Sequence, residues 1–417
     1  MKKLMILGAT SETSKLVQKA REMNIETFVV DPHENAPAKQ YATHPVLLNC
    51  FDIDSVCKLI EDEAIDGILP GCADILVPVY EEVCRRLGKT CYVNKSLVST
   101  FNNKKGLKEI LKKHGLPVIG EYSYEEVKRE TFTAYPLFVK PVDNNSSKGM
   151  SIAKDSAAFE TAYAKALQNS RSKTVLIEEY KQCDDFLVGY FAHNGQIDCV
   201  FTGDRFIIEQ EGVGSITSAL VYPSKYSDLY YRSTHKKMLE IFDELGFCNG
   251  ICMIQGFVEN GNIMFYDPAL RITGGQEYIL LEQLSGIDEL RALINYAVDG
   301  IIPDSDCPDI EQSSNGWYAC NLTFSVRAGT ICKIDGVDYL KSHGNVINVT
   351  QEHFPGDVID RIGTAQQNIF RVHVVAGTKK ELKDSINDLQ KRVIAYDENN
   401  ENMMLAGFDA DKWFVAR

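Results

Sequence analysis

The chain has 417 residues and a net charge of −14, from 44 Lys and Arg against 58 Asp and Glu. The length implies roughly two to four domains with ample core. The acidic balance excludes the basic face that a nucleic-acid binder needs, although a local cleft can still hold an anion. The 12 cysteines form no CxxC pair, so neither a zinc site nor a secreted disulfide scaffold is expected. Reduced thiols and a cytoplasmic protein are expected instead. No apolar run approaches the ~20 residues of a membrane helix, and Leu4 to Leu7 is too short for a signal-peptide core.

Lys3 to Gly8 reads as a buried strand, followed by a turn at Ala9-Thr10-Ser11, a helix to about Met23 and a second strand from Ile25 to Asp31. This is the opening of a βαβ unit on a parallel sheet. The dinucleotide fingerprint is missing, because only Gly8 stands where three glycines are needed. Asp66 to Pro70 predicts a strand, Asp74 to Leu87 a helix and Thr90 to Val93 a further short strand. Gly88-Lys89-Thr90 is not the end of a phosphate loop, since Val83 stands where that loop needs glycine. Asn103 to His114 predicts a helix stopped by Gly115, with Pro117 beyond. Lys104 lies in its first turn, where a cation opposes the helix dipole and faces either solvent or an anion.

Tyr135 to Met150 is the most informative stretch. An apolar strand, Leu137-Phe138-Val139, delivers Lys140, and Pro141 ends the ladder. Asp143 to Gly149 is a run of turn-formers whose backbone N–H groups can nest anionic oxygens. A lysine beside such a nest describes a polyphosphate grip; the alternative is a surface hairpin with a polar loop.

Ser156 to Asn169 predicts a helix and Thr174 to Ile177 a strand leading into Glu178-Glu179-Tyr180. Phe186 to Ala192 and Ile197 to Thr202 predict a hairpin around Asn194-Gly195. A second hairpin spans Ile251 to Asp267 around Asn260-Gly261-Asn262. With a three-residue loop, Gln255 and Asp267 lie opposite one another on one face. Both offer oxygens of the kind Mg²⁺ takes when phosphates supply the rest. Arg271 adds a planar cation suited to a carboxylate or phosphate, while an ordinary hairpin with a polar face is the plainer reading. From about Cys307 the chain reads as strands with one amphipathic helix, Lys379 to Ala395: a compact α+β tail.

The order of these pieces resembles the ATP-grasp superfamily of ADP-forming ligases, within the group of biotin carboxylase, the carbamoyl-phosphate synthase large subunit and the glycinamide ligases. The resemblance covers roughly residues 1 to 300. It implies a multidomain α/β and α+β architecture: a Rossmann-like domain over 1–100, an ATP-grasp domain over 101–305 with a lid at about 118–190, and a C-terminal α+β domain over 306–417. By position, Lys104 and Lys140 match the lysines on the ATP phosphates, and Ser146, Ser147 and Gly149 the closing loop. Glu178, Glu179, Tyr180 and Lys181 match the hinge whose backbone binds adenine, and Asp185 the ribose acid. Gln255 and Asp267 match the metal ligands, and Arg271 the arginine that holds the substrate anion or acyl phosphate. Three departures stand out: glutamine at the first metal position, Asp267 in place of the usual Glu, and Ala269 where an Asn commonly adds a ligand. Cys183 also replaces a usual glycine.

The resemblance implies ATP and Mg²⁺ (or Mn²⁺), small-molecule carboxylate and amine substrates, and catalysis by Lys140 and Arg271 through an acyl phosphate. No nucleic-acid or membrane partner is expected, and a homodimer is the default. The alternatives are a bicarbonate-phosphorylating or phosphoribosylglycinamide-type enzyme, or a nucleotide-binding sensor or scaffold without strong catalysis. His193, Arg205 and Glu277 are further candidates near the cleft.

Overall fold

The computed structural model describes residues 1–142, 149–210, 214–307 and 316–414. Strands β1 (Lys3–Leu7), β2 (Glu26–Asp31), β3 (His44–Leu47) and β4 (Gly67–Pro70) form a parallel sheet in the order β3-β2-β1-β4. Leu4, Met5, Ile6 and Leu7 are all buried, as expected of a strand covered on both faces. The expected strands at β1, β2 and β4 are present. Strand β3 was not expected, because an exposed edge strand carrying Pro45 has no apolar run to announce it. Thr90 to Val93 is irregular rather than a strand. Tyr92 anchors it instead: its N–H donates to the Tyr80 hydroxyl at 3.1 Å and its own hydroxyl to Leu270 O at 2.9 Å. The helix Glu289–Asp299 lies directly on β4, where a Cβ on Gly67 would come within 2.4 Å of Ala297 O.

A three-stranded antiparallel sheet follows, β5 (Leu137–Pro141), β6 (Ser151–Ala153) and β7 (Val175–Glu179), in the order β6-β5-β7. One face carries Leu137, Val139 and Ile177 against Phe159, Ala162 and Ala166 of the helix Ser156–Asn169. The other carries Phe138, Lys140 and Glu178, because residues two apart and directly paired residues share a face.

The largest sheet contains β8 (Asp184–His193), β9 (Gln196–Gln210), β10 (Gly214–Tyr222), β11 (Gly250–Glu259), β12 (Asn262–Ala269) and β13 (Tyr318–Ser325). Beyond β13 come β14 (Gly329–Thr330), β15 (Lys333–Asp335), β16 (Val346–Gln351), β17 (Val358–Ile359), β18 (Asn368–Ala376) and β19 (Ile394–Tyr396). Eight of these strands form one antiparallel sheet in the order β12-β11-β8-β9-β10-β13-β18-β16. The sheet therefore runs across residue 306, where the sequence placed a boundary. One of its faces packs on helices: Phe186, Val188 and Tyr190 against Met238 and Phe242, and Leu322, Val372 and Val374 against Leu382 and Ile386. On the other face the register aligns Asp185 with Arg205, Arg205 with Leu220, Leu220 with Asn321, and Asn321 with His373. Apart from Leu220 this strip is polar; its Asp185–Arg205 end lies beside the cleft between this sheet and β5–β7, whereas Asn321 and His373 are buried. Trp413, in the helix Ala410–Phe414, ties the chain end to β9 by donating to Asp204 Oδ2 at 2.8 Å. Among the described residues no helix is long and apolar enough to cross a membrane.

Candidate active site

Lys140 lies one diagonal step from Glu178 on the cleft face of the small sheet, so the two meet directly: Nζ to Oε2 is 2.5 Å. The other Glu178 oxygen takes Lys108 at 2.5 Å, and Lys108 also reaches Glu121 Oε1 at 3.0 Å. Glu178 is buried, and burial alone would raise its pKa. The charges of Lys140 and Lys108 outweigh that and hold it below its ordinary value. Glu178 therefore fixes Lys140 through its side chain, a role that the hinge assignment did not include.

The hinge backbone is largely committed. Glu179 N–H donates to Gly120 O at 3.0 Å and Tyr180 N–H to Pro136 O at 3.1 Å. Lys181 N–H has no acceptor among the described residues, so it can meet a planar heterocycle. The Lys181 side chain ties the hinge to the second hairpin through Glu179 at 2.7 Å and Glu259 at 2.6 Å.

Lys104 stands in the first turn of the helix Lys104–Lys113, capped by the Asn103 side chain. It makes no hydrogen bond or ion pair among the described residues. Partial burial, then the charge of Lys140, lowers its pKa, opposed by Asp267 and Glu178. A cation in that setting faces the cleft near Asp267 without a direct ion pair among the described residues.

The second hairpin turns in two residues, Asn260 and Gly261, both at positive φ (50° and 75°), as a tight hairpin turn requires. The expected loop was three residues long. The ladder then slips by one residue at Tyr266, a bulge that restores Gln255 opposite Asp267. Water reaches Asp267, yet protein surrounds it on most sides. That burial and the charge of Asp74 push its carboxyl up, against Lys104, Lys140 and Arg271. Asp267 has no hydrogen-bond or ion-pair partner among the described residues.

Gln255 and Asp185 are differently placed. Arg205 donates from Nε to Asp185 Oδ2 at 3.2 Å and from Nη1 to Gln255 Oε1 at 3.3 Å. The Tyr266 hydroxyl is shared between Asp185 Oδ1 at 3.0 Å and Gln255 Oε1 at 3.2 Å. Burial raises the Asp185 pKa, with Arg205 and Tyr266 opposing. The expected ribose acid and first metal ligand thus share one network with an arginine and a tyrosine. No group of three or more His, Cys, Asp or Glu side chains able to hold a metal occurs among the described residues.

Arg271 is held from the first sheet's end of the cleft. Its Nη2 donates to Asp74 Oδ2 at 2.6 Å and its Nη1 to Ile272 O at 2.9 Å, while its buried Nε has no partner among the described residues. The segment beyond it, Thr273 to Gln276, is fixed by side chains of the large sheet. Asn321 Nδ2 donates to Gly275 O at 2.6 Å, His373 Nε2 to the same oxygen at 3.1 Å, and Arg371 to Gly274 O. Burial pushes the His373 pKa down to about 3, so the ring is neutral. Glu277 accepts from Tyr222 at 3.0 Å and from Thr273, beneath this segment.

The structure therefore gathers Lys104, Lys140, Asp267 and Arg271, with Asp185 and Gln255 beside them. His193 lies at the far end of β8 from Asp185. Ser146 and Ser147 lie outside the described residues. Gly149 is at φ +79°, and a Cβ there would meet Asn169 Cβ at 2.6 Å, so the returning loop needs glycine. Asp74 and Tyr266 were not singled out as site residues. Asp74 reads in the sequence as a helix start, and Tyr266 enters through a bulge that alternation does not announce.

Residues 110–267 match the family described as the D-ala D-ala ligase C-terminus. The match takes in Lys140, Asp185, Gln255 and Asp267 of the cleft above, and over this stretch the chain is similar to the ATP-grasp ligases. It is similar to the formate-dependent phosphoribosylglycinamide formyltransferase of Prochlorococcus marinus (strain MIT 9515), 27% identical over 190 residues, 44% of this chain and 48% of that protein. The same-named protein of Hydrogenovibrio crunogenus is 25% identical over 280 residues, 64% of this chain and 69% of that protein. The chain thus spans about half the length of the first of these relatives. Among solved structures it resembles an L-amino acid ligase from Bacillus licheniformis (TM-score 0.78, 18% identity, 96% of this chain and 99% of that one). It also resembles phosphoribosylglycinamide synthetase from Anaerococcus prevotii (TM-score 0.74, 16% identity, 95% and 100%). At those identities the likeness is one of fold.

Proposed function

We propose that the protein is an ATP-dependent, ADP-forming ligase that joins a small carboxylate to an amine through an acyl phosphate. The observation that carries this reading is the convergence of Lys104, Lys140 and Arg271 on one accessible carboxylate, Asp267. Glu178 balances Lys140 and Asp74 balances Arg271, so Lys104 and Asp267 are the groups left to meet a polyanion arriving with a divalent cation.

ATP is the phosphoryl donor, and Lys104 and Lys140 hold its phosphates, with Glu178 keeping Lys140 in place. Lys181 N–H and the neighbouring hinge carbonyls receive the base. Mg²⁺, when bound at Asp267, would offset phosphate charge during transfer. Arg271, braced by Asp74, positions the carboxylate in line with the terminal phosphate. A carboxylate oxygen attacks that phosphorus and ADP departs. The amine nitrogen then attacks the acyl carbon, and phosphate leaves with the oxygen that came from the carboxylate. The cations lower the charge cost of both steps. The curated relatives favour an amine acceptor, since their name couples formate to a glycinamide.

The test is a thermal-shift titration with Mg·ATP on the wild type and Lys140→Met. Nucleotide at a hundredfold over Kd stabilises the protein by ~2.7 kcal/mol. Wild type should shift and Lys140→Met should not; a wild type indifferent to Mg·ATP would overturn the reading. A phosphate-release screen of carboxylates with a pool of amines then identifies substrates.

A further inference from the structure

We infer that this cleft takes a single divalent cation, at Asp267, and that the Arg205 guanidinium stands permanently where a second cation would sit. The inference rests on the nucleotide-binding reading above and concerns which of the chain's own residues remain free for metal. Gln255 does not fit a metal. Its amide oxygen already accepts from Arg205 at 3.3 Å and lies 3.2 Å from the Tyr266 hydroxyl, whose one proton it shares with Asp185, and it carries no charge. Asp185 is occupied as well, one oxygen by two nitrogens of Arg205 (3.2 and 3.1 Å) and the other by Tyr266 at 3.0 Å. Arg205 and Asp185 cancel, so the network offers a second ion no net negative charge. An ion on the Gln255 oxygen would meet the guanidinium, a like charge in a partly desolvated cleft, where repulsion is strong.

Arg205 stays protonated. Burial disfavours its charge, but the carboxylates of Asp185 and Asp267 outweigh it and raise its pKa. Asp267 is the opposite case, a carboxylate without a hydrogen-bond or ion-pair partner among the described residues. Ala269, two residues on in the strand, brings no side-chain oxygen. The guanidinium differs from a metal in consequence: it is always present, needs no free cation, and cannot be chelated away. Glutamine at 255 is the matching choice, because it accepts from Arg205 without adding a charge that would draw metal.

The inference makes a specific claim about Gln255→Glu. The new carboxylate should pair with Arg205 and recruit no metal. Only the double change R205M/Q255E removes the built-in cation and leaves an anionic oxygen in its place.

The experiment is electron paramagnetic resonance of Mn²⁺ with the full chain and a non-hydrolysable ATP analogue, together with Mn²⁺ stoichiometry by equilibrium dialysis. Wild type and Q255E should each bind one Mn²⁺ per bound nucleotide, with an uncoupled spectrum. R205M/Q255E should bind two, with the spectral broadening of neighbouring spins. Two coupled ions in the wild type would overturn the inference while leaving the nucleotide reading intact. So would a second ion gained by Q255E alone, a result that does not depend on the double variant folding. No analogue bound with or without Mn²⁺ would overturn the nucleotide reading and this inference together.

Discussion

Glu178→Gln isolates the contact on which the phosphate-binding side of the cleft depends. In the wild type one buried carboxylate serves two buried ammonium groups, each at 2.5 Å. Lys108 keeps Glu121 at 3.0 Å after the change, but Lys140 loses its one ion-pair partner among the described residues. Breaking a buried pair from one side costs about 3–5 kcal/mol, because the remaining charge is left uncompensated. With one of the two lysines still paired, the low end applies, about 3 kcal/mol. For a cooperative unit of about 200 residues that is a fall in Tm of roughly 6–12 °C. The pH dependence follows from the lowered pKa of Glu178. A depressed carboxylate stabilises the fold fully above its unfolded value, ordinarily 4.5, and that stabilisation is lost as pH falls through the lower folded value. The gap between wild type and variant should be widest near neutrality and narrow progressively as pH falls below the unfolded value of 4.5. Circular-dichroism melts of both proteins across that range make the comparison, with Glu160→Gln as the control. Glu160 pairs with Lys128 in the open, where solvent screens the contact and its loss should barely move the melt. A Glu178→Gln loss under about 1 kcal/mol at neutral pH, or a gap that does not narrow in acid, would refute the assignment of Glu178 as the anchor of Lys140.

Lys104→Met should leave stability within about 0.5 kcal/mol, since Lys104 makes no ion pair among the described residues, yet weaken Mg·ATP binding at least tenfold by calorimetry. An equal loss of fold and binding would count against a ligand role. Burial and then the Asp74 charge raise the Asp267 pKa; Asp74→Asn removes the second, so the acid limb of Mn²⁺ binding to the nucleotide complex should move to lower pH. A limb that stays put or rises would separate Asp267 from the metal. Tyr266→Phe removes the donor shared by Asp185 and Gln255 and should cost about 1–3 kcal/mol in urea denaturation. Gly149→Ala, strained by its positive φ and blocked by Asn169, should destabilise by about 1–3 kcal/mol, against a refuting change near zero.

Much of the cleft could be read from residue types because its main elements are local. The strand that delivers Lys140 and the helix that starts at Lys104 are set by apolar runs, a cap and a proline. The facing of Gln255 and Asp267 was anticipated through a three-residue loop. The molecule reaches it by a two-residue turn and a bulge, two offsets that cancel. The bulge also brings Tyr266 into the site, which strict alternation conceals. Arg205 could be named as a neighbour of the cleft but not as the partner of Gln255, because that depends on β8 lying between β9 and β11. Asp74 and Arg271 are separated by nearly two hundred positions, and only the packing of the first sheet against the large one joins them. Likewise the tail strands read as a separate unit, because nothing in their pattern states that β13 pairs with β10.

The central claim is that a carboxylate oxygen attacks the terminal phosphate of ATP. The direct measurement supplies ¹⁸O-labelled carboxylic acids with an amine pool and Mg·ATP, then determines the isotope content of the released phosphate by ³¹P NMR. The account predicts ADP and phosphate carrying one ¹⁸O from the carboxylate in each turnover, lost in Arg271→Ala. Release of AMP and pyrophosphate, or of phosphate without label while the amide accumulates, would contradict it.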